Sequence, residues 1–157
     1  MLNDVYVAGL FDGEGYVGVQ SHRRYPSIVY QIRVTLGVTY APVITMLQAT
    51  YGGSIHVNRH STRNPRHKDQ HVWVAGSQIA CSFLKKVLPH LIIKQEQAKL
   101  ALELQASIDK WKFKFPGKHP QRERIFAHRE DLVTRITALK HVHFSIDRGP
   151  SESVDSY

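Results

Sequence analysis

The sequence predicts an α+β protein built on one four-stranded antiparallel sheet, apolar on its inner face and polar and basic on its outer face. Three observations lead there. Two pairs of short segments alternate apolar and polar residues with a period of two, as half-buried strands do. The stretches before, between and after them carry helical spacing and cap or stop signals. The 157 residues are enough to bury one core without disulfide or metal staples.

In chain order the expected elements are α-ββ-α-ββ-α-α-α. A short helix from about Asn3 to Asp12 carries Tyr6, Val7 and Leu10 beside the small Ala8 and Gly9, and Gly13 and Gly15 are expected to break it. In Tyr16–Arg24, Val17 and Val19 alternate with Gly18, Gln20 and His22. In Tyr30–Thr39, Tyr30, Ile32, Val34, Leu36 and Val38 point one way and Gln31, Arg33, Thr35, Gly37 and Thr39 the other. Tyr25-Pro26-Ser27 links the two as a hairpin loop. Pro42 suits the first turn of a helix that runs to about Tyr51 and stops at Gly52-Gly53.

The second hairpin places Ile55, Val57, Val72 and Val74 inward and His56, Asn58, His71 and Trp73 outward. Its long connection, Arg59 to Gln70, is polar and basic. Ser77 stands where a helix cap belongs, ahead of Ile79, Ala80, Phe83, Leu84, Val87 and Leu88. Lys94–Trp111 reads as a further helix with Ala98, Ala101, Leu102 and Leu104 apolar. A break at Phe115–Pro120 precedes a last helix from about Glu123 to Lys140. Residues 1–147 are expected to form a single domain, and 148–157, rich in Ser with Gly149 and Pro150, a flexible tail.

Composition excludes several classes. No apolar run approaches the roughly 20 residues that span a bilayer, and no secretory signal opens the chain, so no membrane is expected as a partner. The lone Cys81 forms no internal disulfide, which fits an intracellular, reducing compartment such as cytoplasm, nucleoid or organelle matrix. Ten histidines include the close pairs His67/His71 and His141/His143, but neither pair has a third soft ligand, so structural zinc is not expected. The net charge is +8 and the pI near 9.7, which favours a polyanionic partner. Arg23, Arg24, Arg33, Arg59, Arg63, Arg66 and Lys68, against Asp69 alone, put +6 of that charge between Tyr16 and Ala75.

The segment Val7-Ala8-Gly9-Leu10-Phe11-Asp12-Gly13-Glu14-Gly15 resembles the signature of the LAGLIDADG homing endonucleases. The order of helix, hairpin, helix, hairpin and helix over residues 3–111 is also similar to that family. The residues have a chemistry of their own. Gly9 and Gly13, four apart, stack on one helix face and permit close backbone approach by another helix, for which a copy from a second chain is the natural partner. Glu14 follows at the helix C-terminus, where the macrodipole disfavours a carboxylate and a cation would compensate. Phosphodiester hydrolysis needs a hard divalent ion as well, and one carboxylate per chain is too few unless two helices bring two Glu14 side chains together.

The resemblance therefore implies a homodimer packed through Ala8, Gly9, Phe11, Asp12 and Gly13. It implies that Glu14 and the Gly13 carbonyl bind metal, with Asp12 as a helix cap nearby. The expected ion is Mg²⁺ or Mn²⁺, with Ca²⁺ binding but not supporting cleavage. The segment Leu91-Ile92-Ile93-Lys94-Gln95-Glu96-Gln97-Ala98 resembles the one that carries the family's active-site lysine, which makes Lys94 a catalytic candidate able to polarise water or steady phosphate charge. Two positions depart from the best-known homodimeric members: Tyr40 stands where they place a water-organising glutamine, and Ile44 where they place an arginine. Tyr40 can hydrogen-bond water as a catalytic group or serve as a packed aromatic.

The outward strand positions Gln20, His22, Arg24, Gln31, Arg33, His56, Asn58, His71 and Trp73 are the candidate base readers, since Arg, Gln, His and Asn carry donors and acceptors that match base edges. Trp73 either packs on thymine methyls or finishes the sheet. The tip cations Arg23, Arg59, Arg63, Arg66 and Lys68 are candidates for phosphate contacts. The expected activity is site-specific cleavage of a pseudo-palindromic duplex of about two helical turns, roughly 20 bp, for intron homing. An RNA-splicing maturase or a non-cleaving DNA-binding protein on the same fold is the alternative.

Overall fold

The computed structural model describes residues 2–24, 27–59, 68–112 and 120–142, with the side chains of Arg24, Ser27, His141 and Val142 outside that description. The elements are α1 (Asp4–Glu14), β1 (Gly15–Arg24), β2 (Ser27–Val38), α2 (Ala41–Tyr51), β3 (Ser54–Asn58), β4 (Gln70–Gly76), α3 (Ser77–Val87), a 3₁₀ turn (Leu88–His90), α4 (Gln95–Lys110) and α5 (Pro120–Val142). The sheet is antiparallel throughout in the order β1-β2-β4-β3, so each hairpin contributes one central strand. Among the described residues no helix is long and apolar enough to cross a membrane. The Tyr25-Pro26 turn, Arg63, Arg66, His67, His143, Phe115–Gly117 and the tail 148–157 lie outside the described residues.

Asn3 starts α1 by accepting the Val5 amide on its side chain at 2.8 Å. Gly13 does not break the helix, which runs on to Glu14 because packing of α1 against the sheet and α3 outweighs the weak helix propensity of glycine. Gly15 ends it with an N–H bond to the Phe11 carbonyl. A Cβ on Gly15 would fall 2.4 Å from that carbonyl oxygen and 2.2 Å from the Phe11 ring. Only glycine lets the chain turn from helix into β1 here.

Helices α1 to α4 cover one face of the sheet. Phe83 of α3 is the hub, with ring centroids 5.0 Å from Phe11, 4.8 Å from Trp73 and 5.1 Å from Tyr51. Around it close Ile32, Val34, Leu36, Ile44, Leu47, Leu84 and Leu104, all fully buried. The helix α5 adds Leu132 and Ile136 to this core. Its Arg129 ties it to α4 through the Ser107 hydroxyl at 3.1 Å and carbonyl at 2.8 Å.

Several expectations require correction. Trp73 does not face outward. It pairs with Leu36 and Ile55 on the inner face, is fully buried and donates from Nε1 to the Gly52 carbonyl at 2.7 Å. The β4 register is therefore one residue out of phase with the Val72/Val74 reading: those valines face outward, and His71, opposite Val57 and Val38, lies on the helix side. Burying an indole with its N–H satisfied outweighs burying two valines. Arg23, opposite Ile28, likewise falls on the inner row, exposed at the strand end.

Ser77 opens α3 with φ 47° and makes no cap bond, Gly76 being the N-cap residue; the Ser77 hydroxyl instead accepts from Gln31 Nε2 at 3.0 Å. Lys94 is the residue before α4 rather than its first turn, and α5 starts at Pro120 rather than Glu123. Ala8, Phe11 and Asp12, expected at a dimer interface, point into the chain's own core and are buried there.

Candidate active site and nucleic-acid interface

The last turn of α1 is fastened to the start of α4. Asp12, only 8% exposed, accepts the Ile92 and Ile93 amides on Oδ2 at 2.7 and 3.2 Å and the Lys94 amide on Oδ1 at 2.9 Å. The Lys94 ammonium in turn donates to the Asp12 carbonyl. One carboxylate thus satisfies three amides ahead of α4, where the helix dipole favours negative charge. The helix-capping role expected of Asp12 corresponds to this contact, made on α4 rather than on its own helix.

Lys94 is held between charges. Burial pushes its ammonium below the ordinary lysine range, while Asp12 and Glu14 act in the opposite direction. Glu14 is exposed at the end of α1. The structure therefore brings together Glu14, Asp12 and Lys94, which stand up to 82 residues apart in sequence. It leaves Glu14 open to solvent and commits Asp12 to backbone amides.

Tyr40 precedes α2 and is 66% exposed, so it is not the packed aromatic of the two roles considered. Ile44 is fully buried in the core and lines no surface. Among the described residues no group of three or more His, Cys, Asp or Glu side chains is placed to hold a metal ion.

The outer sheet face is organised in rows across the strands. Gln20 pairs with Gln31 and His22 with Val29, and Gly18, Arg33 and Gly76 form the next row. Tyr16, Thr35, Val74 and Ser54 follow, then Gly37, Val72 and His56, then Gln70 and Asn58. Of the expected readers, Gln20, His22, Gln31, Arg33, His56 and Asn58 do share this face, and Arg24 holds the last ladder position on the same row pattern. Arg59 and Lys68 are exposed where the β3–β4 connection leaves and re-enters the described chain. A hollow of about 380 Å³ opens in the face, lined by Gln20, Gln31, Arg33, Ser54, Val74 and Gly76 among others. Arg33 Nε is buried there without a hydrogen-bond partner among the described residues.

Some members of this face were missed from sequence. Val72 and Val74 put methyl groups in its middle, where the opposite β4 phase puts His71 and Trp73. Lys140 of α5 donates to the Tyr16 hydroxyl at 2.7 Å, its ammonium 4.5 Å from the ring centroid, which brings a helical cation to the β1 edge. No local signal in the sequence links positions 124 residues apart. The fully buried Trp73 is not available to DNA.

Fold and site together define an α+β protein with an open, one-sided sheet and a carboxylate–lysine pair at the end of a glycine-faced helix. That is the fold of the LAGLIDADG homing endonucleases. The chain superposes on the homing endonuclease I-CvuI, solved in complex with its target in the presence of Ca, with a TM-score of 0.64, 16% identity and coverage of 96% of this chain and 85% of the other. It matches the archaeal intron-encoded homing endonuclease I-Vdi141I, complexed with DNA, with a TM-score of 0.65 at 14% identity over 96% of this chain and 87% of the other. On the LAGLIDADG homing endonuclease I-GzeII, in complex with DNA target, the TM-score is 0.66 at 12% identity, over 100% of this chain but 54% of that one. No family model and no curated sequence matches the chain.

Proposed function

We propose that this protein is a site-specific endonuclease that hydrolyses both strands of a DNA duplex, acting as a homodimer with a divalent metal. The observation that carries the reading is the end of α1: an exposed Glu14 beside a half-buried Lys94, on a helix whose Gly9 and Gly13 meet nothing within 4 Å. Crystal structures of proteins with this fold bound to DNA support it. So does the coverage of I-GzeII, about half of whose chain this chain matches, as expected where two copies of the fold make one enzyme.

The oxygen donors at the end of α1 suit a hard divalent ion. Asp12 is spent on amides, so among the described residues each protomer offers one free carboxylate at the end of α1, Glu14, with the Gly13 carbonyl beside it. Those hard oxygen donors suit Mg²⁺ when a second Glu14 and phosphate oxygens join them. A bound ion would supply charge to the phosphate and activate water. The protein's own part is separable. Asp12 fixes the Lys94 backbone and its carbonyl accepts from the Lys94 ammonium, which stands near Glu14 and from there can steady phosphate charge. The outer face seats the duplex, with Gln20, Gln31, Arg33, His56 and Asn58 toward base edges and Arg59 and Lys68 toward phosphates. A binder that never cleaves, such as a maturase, would give an exposed carboxylate beside bound nucleic acid no purpose.

The test is selection from a randomised duplex library with Mg²⁺, followed by sequencing of cleaved ends. The reading predicts one pseudo-palindromic site of about two helical turns. Enrichment of bound but uncut duplexes would leave only the binding role.

A further inference from the structure

Strand β2 outruns its neighbour β4. Their ladder ends at the pair of Arg33 with Gly76, so Gln31, on the same outer face, has Gln20 of β1 on one side and no strand partner on the other. What stands there is the junction of β4 and α3. The chain passes from strand to helix with no linking residue, Gly76 closing β4 and Ser77 opening α3. Ser77 makes the turn at φ 47°, the one positive φ outside glycine among the described residues. That conformation is strained for serine, and such strain is kept where the surrounding contacts require it.

The contact here is with a side chain of the outer face. From its turn the Ser77 hydroxyl accepts from Gln31 Nε2 at 3.0 Å. A Cβ on Gly76 would fall 3.1 Å from that same nitrogen, so the bare glycine leaves the amide its place at the junction. On an open face a glutamine amide turns over freely and presents either its oxygen or its nitrogen. Tied at one N–H, Gln31 still offers its carbonyl oxygen and its second N–H. That donor–acceptor pair matches the N7 and N6 edge of adenine, whereas guanine offers two acceptors. Arg33 lines the same hollow, and its buried Nε has no partner among the described residues.

We infer that Ser77 is a positioning residue for base recognition: from its strained turn it fixes the Gln31 amide so that Gln31 reads adenine at one position of each half-site. The inference rests on the reading of the outer sheet face as the duplex-binding surface. Ser77 touches no base itself. It removes the freedom that Gln31 would otherwise lose on binding, and it excludes the reversed amide that suits other bases.

The test is binding of the full chain, in chelator so that no strand is cut, to the duplex it selects from a randomised library and to single-base variants of that duplex. Fluorescence anisotropy compares the parent, Ser77→Ala, Gln31→Ala and the double variant. In the parent one adenine per half-site should be favoured over guanine by about tenfold or more, and Gln31→Ala should abolish that preference. Ser77→Ala should bring it within about twofold while preference elsewhere and salt dependence stay parental. The double variant should lose nothing beyond Gln31→Ala. Ser77→Gly, unstrained at this φ, should show the same selective loss and melt no lower than Ser77→Ala, so it reports the contact if alanine unfolds the turn. Parental adenine preference in Ser77→Ala, or equal weakening on every variant duplex, overturns the inference and leaves the sheet face as the DNA surface. A Gln31-dependent preference for guanine overturns it as well. A parent that binds no duplex overturns the reading of that face and this inference with it.

Discussion

Replacing Asp12 by Asn tests the joint between the two ends of the site. The carboxylate accepts three backbone N–H groups, at 2.7, 3.2 and 2.9 Å, and is nearly buried. Asparagine keeps one acceptor oxygen but turns an NH₂ group toward at least one of those amides. Each hydrogen bond to a buried charged group is worth about 1.5–3 kcal/mol, and an amide left unpaired adds a desolvation penalty of similar size. Part of the loss is recovered by the remaining oxygen, so Asp12→Asn should destabilise the fold by about 2–4 kcal/mol. For a chain of this length that lowers the melting temperature by roughly 10 °C. Urea unfolding followed by circular dichroism measures the difference, and hydrogen exchange locates it, with the Ile92, Ile93 and Lys94 amides exchanging faster than in the parent. A variant whose midpoint and exchange at those amides match the parent would refute the clasp.

Three further outcomes follow from the same geometry. Trp73→Phe should lose about 1–3 kcal/mol of stability through the missing Gly52 bond and the void left behind, yet bind target DNA as the parent does; a selective loss of affinity at unchanged stability would put the indole back on the DNA face. Arg33→Ala should weaken specific binding by about 1–3 kcal/mol and relax preference at one position of each half-site, read by competition with single-base variants of the target. Lys68→Ala should weaken binding to all duplexes alike and lower the slope of log K against log salt by about one unit, read by fluorescence anisotropy across a salt series.

The architecture was largely legible because amphipathic period and punctuation agreed. Five inward residues at alternate positions from Tyr30 to Val38 specified β2, and Gly52-Gly53 ended α2 where a positive φ is needed. The failure at β4 has a physical cause. In Val72-Trp73-Val74 either phase buries apolar side chains, and only the carbonyl of Gly52, brought near by tertiary folding, makes the indole phase the better one. The same limit applied to the site. Glu14 and Asp12 belong to one motif and Lys94 to another, and no local signal says that the two motifs meet. That Asp12 caps the segment 80 residues away, and not its own helix, depends on how α1 packs against the turn before α4. The sequence does not reveal which side of the apolar α1 packs into the chain's own core, and the structure puts Ala8 and Phe11 there.

Cleavage of a selected duplex by the parent and by Glu14→Gln, each with Mg²⁺ and with the metal removed by chelator, tests the central claim most directly. The exchange keeps shape and removes the exposed carboxylate that the chain presents at the end of α1. The parent should cut both strands with Mg²⁺ and neither without it, while Glu14→Gln should bind the same duplex with parental affinity and cut it at least about a thousandfold more slowly. Cutting by Glu14→Gln at the parental rate, or by the parent in chelator, would contradict the account.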